Sequence, residues 1–283
     1  MPRGGRSGFT IVDGRQVHYL EFGRLRAPDV VCLHGGGQTA YMYEELGAAL
    51  ASRYHVLAPD LPNHGDSDWI DDVTRFALAE TLPPLYDHFG MERAVVVGAS
   101  LGGMTAITLA ARHPELVAGI VLIDIGHRLE EDGVRKIVEF MRAHESFGSL
   151  EDAAAEISRY LPNRKEVRAE SLSRNLRQRA DGRWEWKHAL GRRMREVDLD
   201  SGEWDWRAQF EGMGDDARAI QCPVLVLRGS ESDVLSDAGA EEVVELIPDA
   251  RLRRVEKAGH LAAGDNPEST VALVSSFLRE IAW

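Results

Sequence analysis

The chain has 283 residues, a net charge of −13, 44% apolar residues and 28% charged residues. That length suits one large domain or a core with an insertion, and the acidic balance speaks against nucleic acid or an anionic membrane surface as a partner while saying little about a small-molecule substrate. No apolar run is long enough to span a bilayer, and MPRGGRSG has no apolar stretch behind its positive charges, so a flexible N-terminal tail and a cytoplasmic location are expected.

Thr10–Val12 and Gln16–Phe22 flank an Asp13-Gly14 turn and read as an edge hairpin. Asp29–Leu33 (DVVCL) is a short apolar run with the character of a fully buried strand, and it ends at His34-Gly35-Gly36-Gly37. Tyr41–Ser52 has helical periodicity, and His55–Ala58 is the next strand, followed by the loop LPNHGDS at 61–67. Asp71–Phe89 reads as a helix that Pro83-Pro84 should kink or split. Arg93–Val97 is a strand, Leu101–Arg112 a helix stopped near His113-Pro114, and Ala118–Ile125 another strand. Apolar strands alternating with helices predict an α/β fold, a mostly parallel sheet covered by helices on both faces. Cys32 and Cys222 both fall beside apolar strand runs and read as buried thiols rather than a disulfide framework.

The pattern changes from His127 to Asp216, which is dense in Arg, Glu and Asp and carries tryptophans at 184, 186, 204 and 206. Candidate helices are Glu131–His144, Leu150–Tyr160, Lys165–Asn175 and Trp186–Glu196. Aromatic side chains of that size need somewhere to bury. This segment, 127–216, is expected to form a mostly helical cap over a core made of 1–126 and 217–283. Strand character resumes at Pro223–Leu227, then a helix at Ala238–Leu246, a strand at Arg251–Val255 and a closing amphipathic helix at Pro267–Glu280.

The chemistry centres on Val95–Gly103, VVVGASLGG. The spacing G-x-S-x-G between a strand and a helix is a nucleophile elbow, with Ser100 on a strained turn and its hydroxyl raised above the sheet. Gly98 and Gly102 let neighbouring backbone come close, and the helix N-terminus faces whatever charge forms on the serine. A serine needs a base, and the base an orienting acid. His260 follows the strand at 251–255, and Asp233 follows the strand at 223–227, which gives the chain order Ser100, Asp233, His260. Glu231 is a competing neighbour for the acid, and Asp124, after the strand VLI, is another possible orienting acid. The glycine run after His34 turns N–H groups inward, so Gly36 and Leu101 are the expected oxyanion donors, with Gly37 as the alternative to Gly36. A phosphate loop is excluded because no Lys-Ser or Lys-Thr follows. His34 reads as a structural hydrogen-bonder and His64-Gly65-Asp66-Ser67 as a turn. No spacing suggests a metal site or a bound cofactor.

On these residues the chain resembles the alpha/beta-hydrolase superfamily over nearly its whole length beyond the tail. The matching pieces are HGGGQT (34–39), DLPNHGDSD (60–68), GASLGG (98–103), RGSESDV (228–234) and AGH (258–260). The resemblance implies Ser100 as nucleophile, His260 as base, Asp233 as acid, Gly36 and Leu101 as oxyanion donors, and a helical cap. It departs at 228–234: many relatives place the acid three residues after the strand-end glycine, where Ser232 stands here. It also departs at Pro62-Asn63, where relatives carry Arg-Gly.

A serine nucleophile implies acyl transfer to water rather than the aspartate chemistry of relatives such as dehalogenases. The expected function is a serine hydrolase, an enzyme that cleaves a small or medium apolar carboxylic ester or lactone through an acyl-enzyme. The alternatives are a carbon–carbon bond hydrolase acting on a diketone or ring-cleavage product, and a non-catalytic small-ligand binding protein. Candidate pocket walls are Gly37, Met141, Phe147, Trp184, Trp186, Trp204 and Trp206, with Arg192 or Arg193 as a charged option. No feature of the sequence sets an oligomeric state.

Overall fold

A computed structural model of the chain describes residues 2–164, 166–188 and 206–283. Its centre is an eight-stranded sheet in the order β1-β2-β4-β3-β5-β6-β10-β11. β1 (Gly5–Val12) and β2 (Arg15–Phe22) form the antiparallel edge hairpin, closed by Asp13 and Gly14, both with positive φ. β2 runs antiparallel to β4 (His55–Pro59), and β4 is parallel to β3 (Asp29–Leu33). β5 (Ala94–Ala99), β6 (Val117–Ile123), β10 (Val224–Gly229) and β11 (Ala250–Val255) continue in parallel. The sheet is mostly parallel, as the buried apolar strands predict.

The hairpin reaches further than the sequence suggests. Residues 5–8, expected as part of a flexible tail, pair with β2, and Ser7 and Arg6 bond the side chains of His18 and Glu21. The alternating side chains of β5 show why the sheet needs two layers of helices. Val95 and Val97 belong to one core, Ala94 and Val96 to the other. α1 (Glu44–Leu50) and the last helix, Pro267–Leu278, fill the first core with Leu46, Leu50, Val274 and Phe277. α2 (Arg75–Ala79), α3 (Leu82–Phe89) and α4 (Leu101–Arg112) cover the other face. The expected helix over 71–89 is split, but before the proline pair: Pro83 and Pro84 sit in the first turn of α3, where a missing N–H costs nothing.

Between β6 and β10 the chain leaves the sheet. α5 (Glu131–Ala143) and α6 (Leu150–Tyr160) agree with the sequence reading. The rest of this cap differs from an all-helical expectation. Residues 169–174 form only a 3-10 helix, and β7 (Ser146–Phe147), β9 (Trp184–Trp186) and β8 (Leu176–Gln178) make a three-stranded antiparallel sheet. The expected helix from Trp186 therefore starts as a strand, and its portion beyond 188 lies outside the described residues. The cap has its own small core of Phe140, Phe147, Ala153, Ile157, Leu172 and Leu176. α7 (Met213–Ala219) already packs on the main core through Met213 and Ala217. α8 (Asp237–Leu246), α9 (Ala262–Asp265) and α10 (Pro267–Leu278) complete the fold, with Ser236 and Asn266 capping the N-termini of α8 and α10. Among the described residues no helix is long and apolar enough to cross a membrane.

Candidate active site

Ser100 stands at the junction of β5 and α4 with φ 46° and ψ −113°, a strained conformation for a residue with a Cβ. Close backbone contacts hold it there. A Cβ on Gly98 would collide with the Gly102 carbonyl, and a Cβ on Gly102 with the Leu33 carbonyl at the end of β3. Ser100 N–H donates to the Ile123 carbonyl of β6 at 3.2 Å, and its own carbonyl accepts the first turn of α4 from Met104 at 2.9 Å. The opening N–H groups of α4, beginning with Leu101, have no carbonyl within the helix to bond and are available to an anion.

The glycine run lies opposite. Gly35, Gly36, Gly37 and Gln38 line the same cavity as Ser100, and a Cβ on Gly35 would be 3.5 Å from that of Ser100. His34 holds this loop from behind. Its Nε2 accepts the Leu61 N–H at 2.9 Å, so the proton is on Nδ1, which donates to the Gly35 carbonyl at 2.8 Å. Burial pushes this ring's pKa down and keeps it neutral. The loop 61–67 is structural too. Asp60 accepts from Ala40 N–H at 2.6 Å, His18 Nδ1 at 2.7 Å and Asp66 N–H at 2.9 Å. Burial opposes the charge on Asp60, but the His18 contact and the other bonds outweigh it and lower its pKa.

His260 stands in the loop between β11 and α9, on the same cavity as Ser100. Its Nδ1–H donates to Asp124 Oδ2 at 2.8 Å. The expectation that Asp233 orients this ring is corrected by that contact. Asp124 follows β6 directly, is fully buried, and has φ 52°. Its Oδ1 accepts Gly229 N–H at 2.9 Å and its Oδ2 the Ser232 hydroxyl at 2.6 Å. Asp233 instead turns outward, with its carboxylate 2.6 Å from Lys136 Nζ on α5 and about half exposed. The backbone explains why. α5 crosses so close that a Cβ on Gly133 would strike the Asp233 carbonyl, leaving the side chain on the rim. Ser232, at the position where relatives place the acid, donates to the acid that the neighbouring strand supplies. Glu231 lies on the cavity wall.

The cavity has a volume of about 730 Å³. Cap residues Ile137, Phe140, Met141, Ile157, Leu172 and Trp186 give it an apolar wall. Of the expected pocket residues, Gly37, Met141 and Trp186 line it. Phe147 and Trp184 do not. They oppose one another across β7 and β9 and pack into the cap's own core. Trp204, Arg192, Arg193 and the side chain of Trp206 lie outside the described residues. Sequence reasoning missed the polar end of the cavity, where Asn163 and Arg164 of the cap meet Gly259 and Asp265 of the core. The spacing of Pro162-Asn163-Arg164 between two helices marked only a break.

Among the described residues, His18, Asp60 and Asp66 are grouped closely enough to share a metal ion. All three already hold bonds within the protein: His18 with Asp60 and Ser7, and Asp66 with Lys187 at 2.8 Å. The donor set therefore fits a structural clasp between β2 and the 60–67 loop better than a metal centre.

A family profile for the alpha/beta hydrolase fold matches residues 28–267. The chain is 30% identical over 263 residues to an esterase of Mycobacterium tuberculosis, across 89% of this chain and 83% of that one. It is 28% identical over 265 residues to an sn-1-specific diacylglycerol lipase of Mus musculus, across 90% and 82%. Among solved structures, an E-2-(acetamidomethylene)succinate hydrolase superposes with a TM-score of 0.83 at 22% identity, covering 97% of this chain and 99% of that one. That likeness bears on the fold alone.

Proposed function

The chain belongs to the alpha/beta-hydrolase family, and we propose that it is a serine esterase acting on small or medium apolar carboxylic esters or lactones. The observation that carries the reading is the strained Ser100 facing one apolar cavity with the His260–Asp124 pair. An esterase and a lipase among its relatives support the same reaction class.

In this reading the Ser100 hydroxyl attacks the ester carbonyl while His260 Nε2 takes its proton. The oxyanion rests on the N–H groups of Gly36 and Leu101, and each such donor contributes about 3 kcal/mol to transition-state stabilisation. His260 then protonates the leaving alcohol, and water activated by the same ring releases the acid. Asp124 holds the tautomer with Nε2 free and favours the transient imidazolium. The apolar cap wall takes the acyl chain. The cavity volume is within the range of small-molecule sites, about 300–1,000 Å³.

A matched panel of p-nitrophenyl esters, a lactone and a diketone tests the assignment. Turnover should favour the esters, and Ser100→Ala should remove it. A large kcat/KM advantage for the diketone would instead identify carbon–carbon hydrolysis. Tight ligand binding without any turnover would identify a binding protein.

A further inference from the structure

The base loop is gripped from above by the cap. Asp265, the last residue of α9, is buried, and its Oδ2 accepts the N–H of Gly259, next to His260, at 3.0 Å. Its other oxygen, Oδ1, has no hydrogen-bond partner among the described residues and lies 3.5 Å from Nε of Arg164. That Nε is also buried without a hydrogen bond. The guanidinium lies flat on α9: a Cβ on Gly264 would collide with Arg164 Nη2. Asn163, with its amide nitrogen toward Glu231, donates to Glu231 Oε2 at 2.9 Å and accepts the same Gly259 N–H at 3.3 Å. Of two consecutive cap residues, Asn163 therefore meets the backbone beside the base directly and Arg164 reaches it through Asp265.

Asp124 fixes the ring of His260 but not the chain that bears it. That chain leaves β11 through Lys257, at φ 56°, and is held at Gly259 by Asp265 and Asn163. A buried carboxylate needs a counter-charge to stay ionised, and Arg164 supplies it from the cap. Resting on the hydrolase reading above, we propose that Arg164 and Asn163 are positioning residues. Through Asp265 and Gly259 they set the placement and charge environment of His260, making the base competent when the 161–164 turn is seated on the core. Burial raises the pKa of Asp265, while Arg164 and the Gly259 N–H act in the opposite direction.

Asp124 bonds the ring directly, and the other charged groups on its cavity are Glu231 and Asp265 from the core and Lys136, which is paired with Asp233, Arg159 and Arg164 from the cap. Glu139 lines the cap side as well. Removing Asp265's negative charge disfavours the imidazolium, and removing Arg164 does the same through Asp265, which loses the counter-charge that keeps it ionised.

The test compares Arg164→Met, Arg164→Lys and Asp265→Asn with wild type. One readout is the pH profile of kcat/KM for a p-nitrophenyl ester. The other is the NMR titration of the His260 ring, which needs no substrate. Asp265→Asn should move the acid limb and the ring titration to lower pH by several tenths of a unit, and Arg164→Met should move both the same way, by no more than that, because Asp265 takes up a proton once its counter-charge is gone. Arg164→Met should lower kcat about tenfold with KM within about twofold, and Arg164→Lys should recover most of the loss. In the Asp265→Asn background, Arg164→Met should add little. A shift to higher pH in Arg164→Met, unchanged titrations, or independent losses that simply add would overturn the proposal. Absence of wild-type turnover would overturn the hydrolase reading instead, and the ring titrations would still decide the positioning role.

Discussion

At the scale of single residues, the assignment of the acid has the greatest consequence. Asp124 and Asp233 both follow strands of the sheet, but only Asp124 is bonded to His260, at 2.8 Å. Asp124→Asn should therefore lower kcat/KM by about 10³–10⁴-fold by upsetting the imidazole tautomer. Asp233→Asn removes a half-exposed pair with Lys136 and should change it less than about twofold. Steady-state kinetics on one ester compares the two directly. The turn that carries Ser100 and the loop that carries His260 were legible in the sequence because both are local patterns. The acid was not, because a register between β6 and β10 brings Asp124 beneath His260, 136 positions away. One signal was present: Ser232 occupies the familiar acid position with a side chain that can only assist a carboxylate from elsewhere.

At the scale of elements, the elbow depends on space more than on backbone freedom. Gly102 lies in α4, where alanine is conformationally welcome, yet its Cβ would run into the Leu33 and His34 carbonyls. Those are backbone atoms and have no rotamer to change. Gly102→Ala should cost about 1–3 kcal/mol of stability, as overpacking does, and should cut kcat further by displacing Ser100 and the Leu101 N–H. Denaturant unfolding and kinetics on the same preparation would show both losses; a variant as stable and active as wild type would contradict the close contact. The cap shows the opposite case, where local sequence did not settle the element. Trp184 and Trp186 share a face in a strand and diverge in a helix. Pairing with Phe147 and Leu176 across β7 and β8 decides for the strand, and those partners are 37 and 10 residues away in the chain.

At the scale of the molecule, several polar contacts join the cap to the core. Arg174 pairs with Glu44, Lys187 with Asp66, and Arg164 with Asp265. Behind the glycine loop at 35–37, His188 of the cap bridges to His64 of the core, their rings 6.0 Å apart and His188 stacked on Trp186. Burial lowers the pKa of His64 to about 3 and of His188 to about 4. Both folded values lie below the ordinary histidine value near 6.5. The unfolded chain therefore binds these protons first, and stability present above about pH 6.5 is lost as pH falls toward the folded values. Each ring contributes a slope of up to about 1.4 kcal/mol per pH unit in that window. His188→Gln should flatten the decline between pH 6.5 and 5, measured by urea unfolding. An unchanged slope would show that His188 is not held neutral in the seam.

The proposed chemistry requires Ser100 to be acylated, with His260 and Asp124 in support. Rapid mixing with a p-nitrophenyl ester, followed by acid quench and peptide mass mapping, reads that step out. A burst approaching one equivalent is expected, with the acyl mass on the peptide containing Ser100, and loss of both in Ser100→Ala and His260→Ala. A burst that survives Ser100→Ala, or an acyl group mapped to another residue, would contradict it.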